Sequence, residues 1–587
     1  MSTIDFIYAN FGFLGRLLHR ISPKIDEDFE AAGIKIYPEA FLSVIGFSTL
    51  ITFTIAVMLL ILERLSIVKF ITFFYYLPIF AFTAVIPVIG LLLPKLVASN
   101  KVSGLKNEIP FASLYMAVMT SGGLSPYASL LRLGRTDLLP KLRKEILNIQ
   151  SIVLSFGLDP VSAMEKAAKV MKLKEYRELL LGYVSIIRSG GDVLHYLYNQ
   201  TENMFKEMHA RFKSMGEHMN ILMEGYIIIA VLGALGIYMM FVVSFSLPKT
   251  GIGFTPENFF LFAFIALPFI SVVFIFLADI LQINYPLSQN KTYIVFVSTL
   301  PFTLFLLSQL VFPFFFTALP VIPQVIDIVY QLKDLLGFED GTEPAIGMAL
   351  SLVVSLIPGI IVDHLCLKNE RGIFEGLTSF LRDLVENRKM GLSPEKCITL
   401  LSRRDYGRFS KYLRVINSKL KWGFSLHQIF EDVRSQIRSW LSQITIYLLV
   451  DTIEVGGGTE KSLDTLATFA ESINLMEKER KSYLIPLILV AYMGSILLTV
   501  TILIFIQLFK GGVTGFVSVP YITLARILLT PLIFHSFMIG IVTGKIVSGR
   551  VSAGFLHAFL MILCSIAAIW LASNYSLMSI RIGGPAR

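Results

Sequence analysis

Along the chain, long apolar runs alternate with stretches in which charged residues return. Nine runs, near 40–62, 71–97, 221–247, 257–283, 291–318, 345–366, 484–508, 520–545 and 553–573, approach or exceed the apolar length that carries a helix across a bilayer core, about 20 residues. The pattern predicts nine transmembrane helices. Two blocks, 98–220 and 367–483, interrupt them and hold 61 of the 93 charged residues. Inside the blocks apolar positions recur at helical spacing, as in Phe409, Tyr412, Leu413, Ile416 and Leu420. No alternating run bounded by hairpin turns occurs there. The expected fold is an all-α polytopic membrane protein. Its order is a cytoplasmic N-terminal segment (1–39), spans one and two (40–97), a helical domain (98–220), spans three to six (221–366), a second helical domain (367–483), spans seven to nine (484–573) and an external tail (574–587).

Composition agrees, with 55% hydrophobic and 16% charged residues and a mean hydropathy of +0.70. Charge adds orientation. The first block carries 16 basic and 11 acidic residues and the second 19 and 15, which by the positive-inside bias places both in the cytoplasm. Lys545 and Arg550 in a short loop agree, as do the acids between Gln331 and Glu343 on the opposite side. Four spans separate the blocks, so parity alone puts them on one side. Residues 1–39 hold six acids and four Lys or Arg and lack a small-residue cleavage pattern, so the first span is expected to direct insertion.

The blocks are related to each other. Gly123-Leu124-Ser125-Pro126, Gly157-Leu158-Asp159-Pro160 and Gly391-Leu392-Ser393-Pro394 repeat one pattern, and Gly423-Phe424-Ser425-Leu426 is a degenerate fourth copy. Each reads as a helix-to-helix turn: glycine ends one helix in the left-handed region, Ser or Asp caps the next, and Pro126 or Pro394 suits its first turn. A third turn follows at Gly190-Gly191-Asp192 and at Gly456-Gly457-Gly458-Thr459, and the matching glycines lie 268, 266 and 266 residues apart. Two spans precede and two follow each block, which predicts parallel repeats about a pseudo-twofold axis along the membrane normal, with one extra C-terminal span. Each block is expected to form a bundle of about six helices.

Enzymatic motifs are weak. Gly456 to Ser462 ends like a phosphate-binding loop, but Glu460 stands where glycine is needed and no parallel strand precedes it. Cys366, Cys397 and Cys564 lie far apart without ligand spacing, and Asp363-His364 reads as an interfacial pair. No catalytic, cofactor or metal-binding residue is assigned. Glu224, Asp279 and Arg526 fall near span ends, where they can snorkel, while His535 and His557 lie deeper. Asn574-Tyr575-Ser576 is a glycosylation sequon on the expected external tail.

The remaining feature is basic. Arg403, Arg404, Arg408, Lys411, Arg414 and Lys419 are expected on a helix from Arg403 to Lys421, with Arg404, Arg408, Lys411 and Lys419 on the face opposite its apolar row. The first block offers Lys141, Arg143 and Lys144, then Lys166, Lys169, Lys172, Lys174 and Arg177. Such faces are solvated, touch anionic lipid headgroups, or dock an acidic partner. Nucleic acid is not expected, since no stacking aromatics accompany the charge.

With its duplicated helical blocks, its Gly-Leu-Ser-Pro turns, the Gly-Gly turn before each exit helix, and Ala32-Gly33-Ile34 with Pro38 ahead of the first span, the chain resembles the type II secretion system F family. More narrowly it is similar to the archaeal platform proteins of type IV pili and of the archaellum, where the relative is the J component. The resemblance covers roughly residues 30 to 575. It implies a non-enzymatic assembly platform, a homodimer set in lipid, that engages a hexameric cytoplasmic secretion ATPase and pilin or archaellin subunits. It also implies ATPase contact through the basic faces of both domains, whereas Gly123, Gly157, Gly190, Gly191, Gly391, Gly423, Gly457 and Gly458 are expected to be structural. The rival reading is a transporter, which would place a polar cavity at mid-membrane.

Overall fold

The computed structural model describes residues 3–22, 25–26, 29, 34, 36–64, 73–171, 173–246, 255–283, 291–315, 322–370, 372–456, 458–510 and 521–574. Helix α1 (Thr3–Ile21) crosses the start of α2 (Pro38–Arg64), and α3 (Phe73–Ser121) runs 49 residues from the expected second span into the first charged block. There the chain passes through α4 (Pro126–Leu133), α5 (Pro140–Phe156), α6 (Pro160–Val170) and α7 (Lys174–Ser189), then leaves along α8 (Val193–Ile227). A single π turn, Ile228–Leu232, joins α8 to α9 (Gly233–Ser246). Next come α10 (Pro256–Leu261), α11 (Leu267–Leu281), α12 (Lys291–Leu310), α13 (Pro323–Leu336) and α14 (Glu343–Glu370).

The second block repeats the first helix for helix. Its members are α15 (Ile373–Lys389), α16 (Pro394–Leu401), α17 (Phe409–Lys421), α18 (Leu426–Arg434), α19 (Trp440–Gly456) and α20 (Glu460–Leu484). Helix α20 leads into α21 (Pro486–Lys510), and α22 (Tyr521–Ser548) and α23 (Gly554–Asn574) follow. Each block is thus a six-helix lobe, and no strand occurs among the described residues. Seven helical stretches there are long and apolar enough to cross a membrane: Val193–Ser244, Pro256–Leu281, Lys291–Phe314, Glu343–Cys366, Glu460–Gln507, Tyr521–Ser548 and Val551–Asn574. The other two expected spans fall on α2 and the first half of α3, where many side chains lie outside the described residues.

The lobe turns form as their local chemistry dictates. Gly123 and Gly391 adopt φ of +95° and +85°, a region that costs other residues more than glycine. The next helices are capped by Ser125, whose Oγ accepts from the Ala128 amide at 3.3 Å, and by Ser393, which accepts from Lys396 at 3.4 Å. Asp159 caps α6 in the same way, and Ser425 with Gln428 forms a reciprocal capping box on α18. The third turns differ. In the first lobe the left-handed residue is Gly190, two positions before the cap Asp192, and Gly191 is not left-handed; in the second it is Gly458, directly before the cap Thr459. Gly457 lies outside the described residues.

Because α8 and α20 run on into spans, Val193 and Glu460 mark the ends of the lobes far from the membrane. At 1.5 Å per residue the lobes reach roughly 40 Å beyond it. In the membrane part, α22 is the central element, buried along nearly all of Leu524 to Ile546 and packed on α11, α14, α21 and α23. Small residues permit that packing: a Cβ on Gly544 would lie 2.0 Å from the Gly554 nitrogen. Hydroxyls of Ser536 and Ser565 meet at 2.7 Å, and Thr499 bonds Ser565 at 3.3 Å. The charged residues near span ends are paired as well as placed to snorkel. Asp279 receives Lys545, Arg550 lies 3.6 Å from Asp363, and Arg526 lies 3.3 Å from the buried carboxylate of Glu343.

Candidate functional site: the paired lobes and their junction

The lobes meet along α8 and α20, which lie side by side and run in the same direction. The Phe205 and Phe469 rings are 4.6 Å apart, His209 bonds Glu479 at 2.7 Å, and the Lys461 ammonium sits 5.3 Å over the Tyr198 ring. Each of these residues faces the neighbourhood of its own counterpart in the other repeat, as a twofold axis along the helices requires. The rest of the junction is one-sided. Helices α19 and α20 both pack on α3, whereas α7 and α8 make no comparable contact with α15. The sequence explains which helices were recruited: α3 from Glu108 to Met119 and α19 from Trp440 to Ile453 are buried on every side, and each carries one charge only, Glu108 or Asp451, among mainly apolar residues.

A polar knot sits inside this apolar contact. The Asp451 carboxylate on α19, only 1% exposed, accepts from the Tyr115 hydroxyl at 2.5 Å and from Arg132 Nη2 and Nε at 2.7 and 3.0 Å. Glu454 lies 3.7 Å from the same guanidinium. Burial is the first cause that lifts the Tyr115 and Tyr447 phenols above their usual range, and the hydrogen bond to Asp451 raises Arg132 further. Nearby, Trp440 Nε1 donates to the Leu138 carbonyl at 2.7 Å and its ring meets Phe111 edge-on at 4.9 Å. Ligand-type atoms of His427, Asp451 and Glu454 fall within 4.8 Å of one another. Both Asp451 oxygens are already taken by Tyr115 and Arg132, so the group is an ion-pair network.

The basic residues are distributed differently from the sequence expectation. No helix begins at Arg403; residues 403–408 form a turn, because Gly407 is left-handed at φ +58° and Asp405 accepts from its amide at 2.9 Å. Arg404 is spent on Asp383 at 2.9 Å, Arg414 Nε donates to the Ser410 carbonyl at 3.3 Å, and Lys419 pairs with Asp432. Arg403, Arg408 and Lys411 are exposed. In the first lobe Lys141 packs over Gly104, Arg143 pairs with Asp137 and Lys144 is exposed. Two of these clusters therefore occupy one position in the repeat: Lys141, Arg143 and Lys144 open α5, and Arg408 and Lys411 open α17. Neither first turn carries an acid, although acids are the stabilising choice there.

One family model matches the chain twice, at residues 112–241 and 380–507: type II secretion system (T2SS), protein F. This is a type II secretion system F family protein. Each matched stretch of the F family protein starts in the first helix of a lobe and ends in the span that the lobe feeds. The family comprises membrane platform proteins of secretion and pilus assembly, which work with secretion ATPases and pilin subunits. The chain is accordingly a multi-pass membrane protein. It is also similar to Uncharacterized protein MJ1286 of Methanocaldococcus jannaschii, with 19% identity over 514 residues, 85% of this chain and 84% of that one. No solved structure matches it.

Two features of the F family protein escaped the reading of its sequence. One is the Arg132–Asp451 knot, signalled only by a lone acid amid Ile444 to Val450, which must find a partner when buried. The other is an aromatic position just ahead of the second turn of each lobe, at the end far from the membrane. Phe156 before Gly157 is 65% exposed and Trp422 before Gly423 is 81% exposed, with Phe424 beside it.

Proposed function

We propose that the protein is the platform of an archaeal type IV pilus-like filament machine, an adhesive pilus or archaellum, with both lobes in the cytoplasm. As a homodimer beneath the filament, it is gripped by a hexameric secretion ATPase and passes the motion on to pilin insertion. One observation carries this reading: two lobes locked to each other by a buried junction lead directly, along α8 and α20, into membrane helices. The archaeal relative aligned over most of both chains and the excess of Lys and Arg in the lobes support the narrower terms. The filled centre of the membrane part, with α22 buried along its length, favours a platform over a transporter.

In this reading the duplicated basic clusters at the starts of α5 and α17 touch acidic surface on the motor. Arg143 answers to Asp137 and Lys141 to Glu108, but Lys144, Arg408 and Lys411 have no acidic partner among the described residues, so lobe stability does not account for them. The test reverses Lys144, Arg408 and Lys411 to glutamate; none forms an ion pair among the described residues. The triple variant is expected to capture less of the cognate ATPase and to make no filaments while its membrane abundance holds, because all three side chains are exposed. Undiminished capture of the ATPase would overturn the assignment.

A further inference from the structure

The N-terminal helix carries a surface that the platform reading does not use. Helix α1 is kinked at Phe11, and its second half crosses the first turns of α2 at very close range. A Cβ on Gly15 would lie 2.4 Å from the Glu39 carbonyl oxygen, and one on Gly46 would lie 2.7 Å from Leu14 Cβ. Tyr8 donates to Glu39 at 3.1 Å, the Phe11 and Phe47 rings are 4.5 Å apart, and Leu18 packs on Ile25, Phe29, Leu42 and Ile45. The helix is therefore fixed by one face on residues 39–47, where the expected first span enters the membrane.

The opposite face is a built stripe. Phe13 and Leu17 are 56% and 57% exposed, and Arg16 and Arg20 are exposed beside them. The spacing of 13, 16, 17 and 20 puts all four on one side of a helix. Neither arginine forms a salt bridge among the described residues. Two large apolar side chains pointing away from the protein, flanked by two unpaired guanidiniums and held at the rim of a span, match a helix lying in the plane of a membrane surface.

We propose that α1 is a membrane-surface helix: Phe13 and Leu17 enter the interfacial layer of the bilayer, and Arg16 and Arg20 bind anionic lipid headgroups. Gly15 sets its depth by keeping it against α2. The occupant is lipid, since α1 is held against the start of the expected first span, α2 exposes Leu50, Ile51 and Phe53 one to two turns further along, and the charge of the stripe is complementary to anionic headgroups.

The test uses full-length protein with Cys366, Cys397 and Cys564 changed to serine and a spin label on Leu17→Cys, in nanodiscs of zwitterionic lipid or of zwitterionic lipid mixed with phosphatidylglycerol. The label is expected to be relaxed more by oxygen than by an aqueous nickel chelate. Depth should increase in the anionic discs, and Arg16→Gln with Arg20→Gln should remove that increase. A control label on Lys144→Cys in the first lobe should stay water-exposed throughout. A Leu17 label freely reached by nickel in both discs overturns insertion, as does one shielded from both relaxants, which would mean that protein covers the stripe. Equal depth in the two discs overturns the headgroup assignment.

Discussion

The first and second lobes share one plan but solve equivalent positions with different chemistry. At the 268-residue offset set by Gly123 and Gly391, Tyr115 corresponds to Asp383 and Glu108 to Gly376. In the first lobe Tyr115 points into the junction and bonds Asp451. In the second, Asp383 stays inside its own lobe, accepting from Arg404 at 2.9 Å and from Tyr406 at 2.7 Å. Glu108 caps α5, receiving the Leu142 amide at 2.7 Å, whereas the bare Gly376 lets the Tyr406 carbonyl approach so closely that a Cβ would sit 2.1 Å from its oxygen. The difference teaches where a duplicated fold is free to diverge. The first two turns and the order of the six helices persist, while the first and fifth helices of each lobe change according to whether they meet the other lobe or solvent.

The sharpest way to break the comparison is to remove the knot. Asp451→Ala leaves the buried Tyr115 hydroxyl without its acceptor and Arg132 with Glu454 alone, and is expected to cost at least about 3 kcal/mol. Thermal unfolding of the detergent-solubilised protein checks this, and limited proteolysis should show the lobes separating. Asp383→Ala removes a partly solvated ion pair and the acceptor of the buried Tyr406 hydroxyl, and should cost about 1–2 kcal/mol. Equal losses would mean that the lobes are coupled elsewhere.

Next in size is a pH effect confined to the first lobe. Burial pushes the Glu108 carboxyl up to about 7 from an ordinary 4.5, against the opposing pull of the α5 amides. The folded lobe therefore favours the protonated form: this contribution is complete below about 4.5 and is lost as pH rises through about 7. It amounts to about 3 kcal/mol, and Glu108→Gln should flatten the dependence of melting temperature on pH between those values. The second lobe has Gly376 there and lacks this effect.

Gly376→Ala tests that lobe's own solution and should cost about 1–3 kcal/mol by overpacking against backbone. Smallest is Gly391→Val, expected to cost about 1 kcal/mol or a little more. Nothing lies within 4 Å of where its Cβ would go, so the loss comes from the left-handed backbone alone. Gly123→Val should match it. A marked inequality in denaturant midpoints would show that the two turns are not equivalent.

Much of this was legible because it is local. The Gly-Leu-Ser-Pro turns encode their own geometry, and apolar length announces spans, so the all-α architecture with two six-helix lobes follows from sequence. The basic helix from Arg403 was misplaced because charge pattern and helical spacing do not register that Asp405 and Gly407 favour a turn. The junction was invisible for another reason: burial on all sides depends on a partner far along the chain, and Tyr115, Arg132 and Asp451 come together from three separate helices. Comparing the repeats position by position exposes it, since residues 109–119 of α3 carry no charge and are buried on every side where α15 is amphipathic.

The direct passage of α8 and α20 from their lobes into the spans has a mechanical corollary. Two rods, clamped together outside the bilayer and embedded within it, each carry one local irregularity on the way: the π turn Ile228–Leu232 after α8, and the turn at Ile485 ahead of Pro486 between α20 and α21. Any turning of the lobes relative to the spans would therefore fall on those two places rather than be spread along the helices.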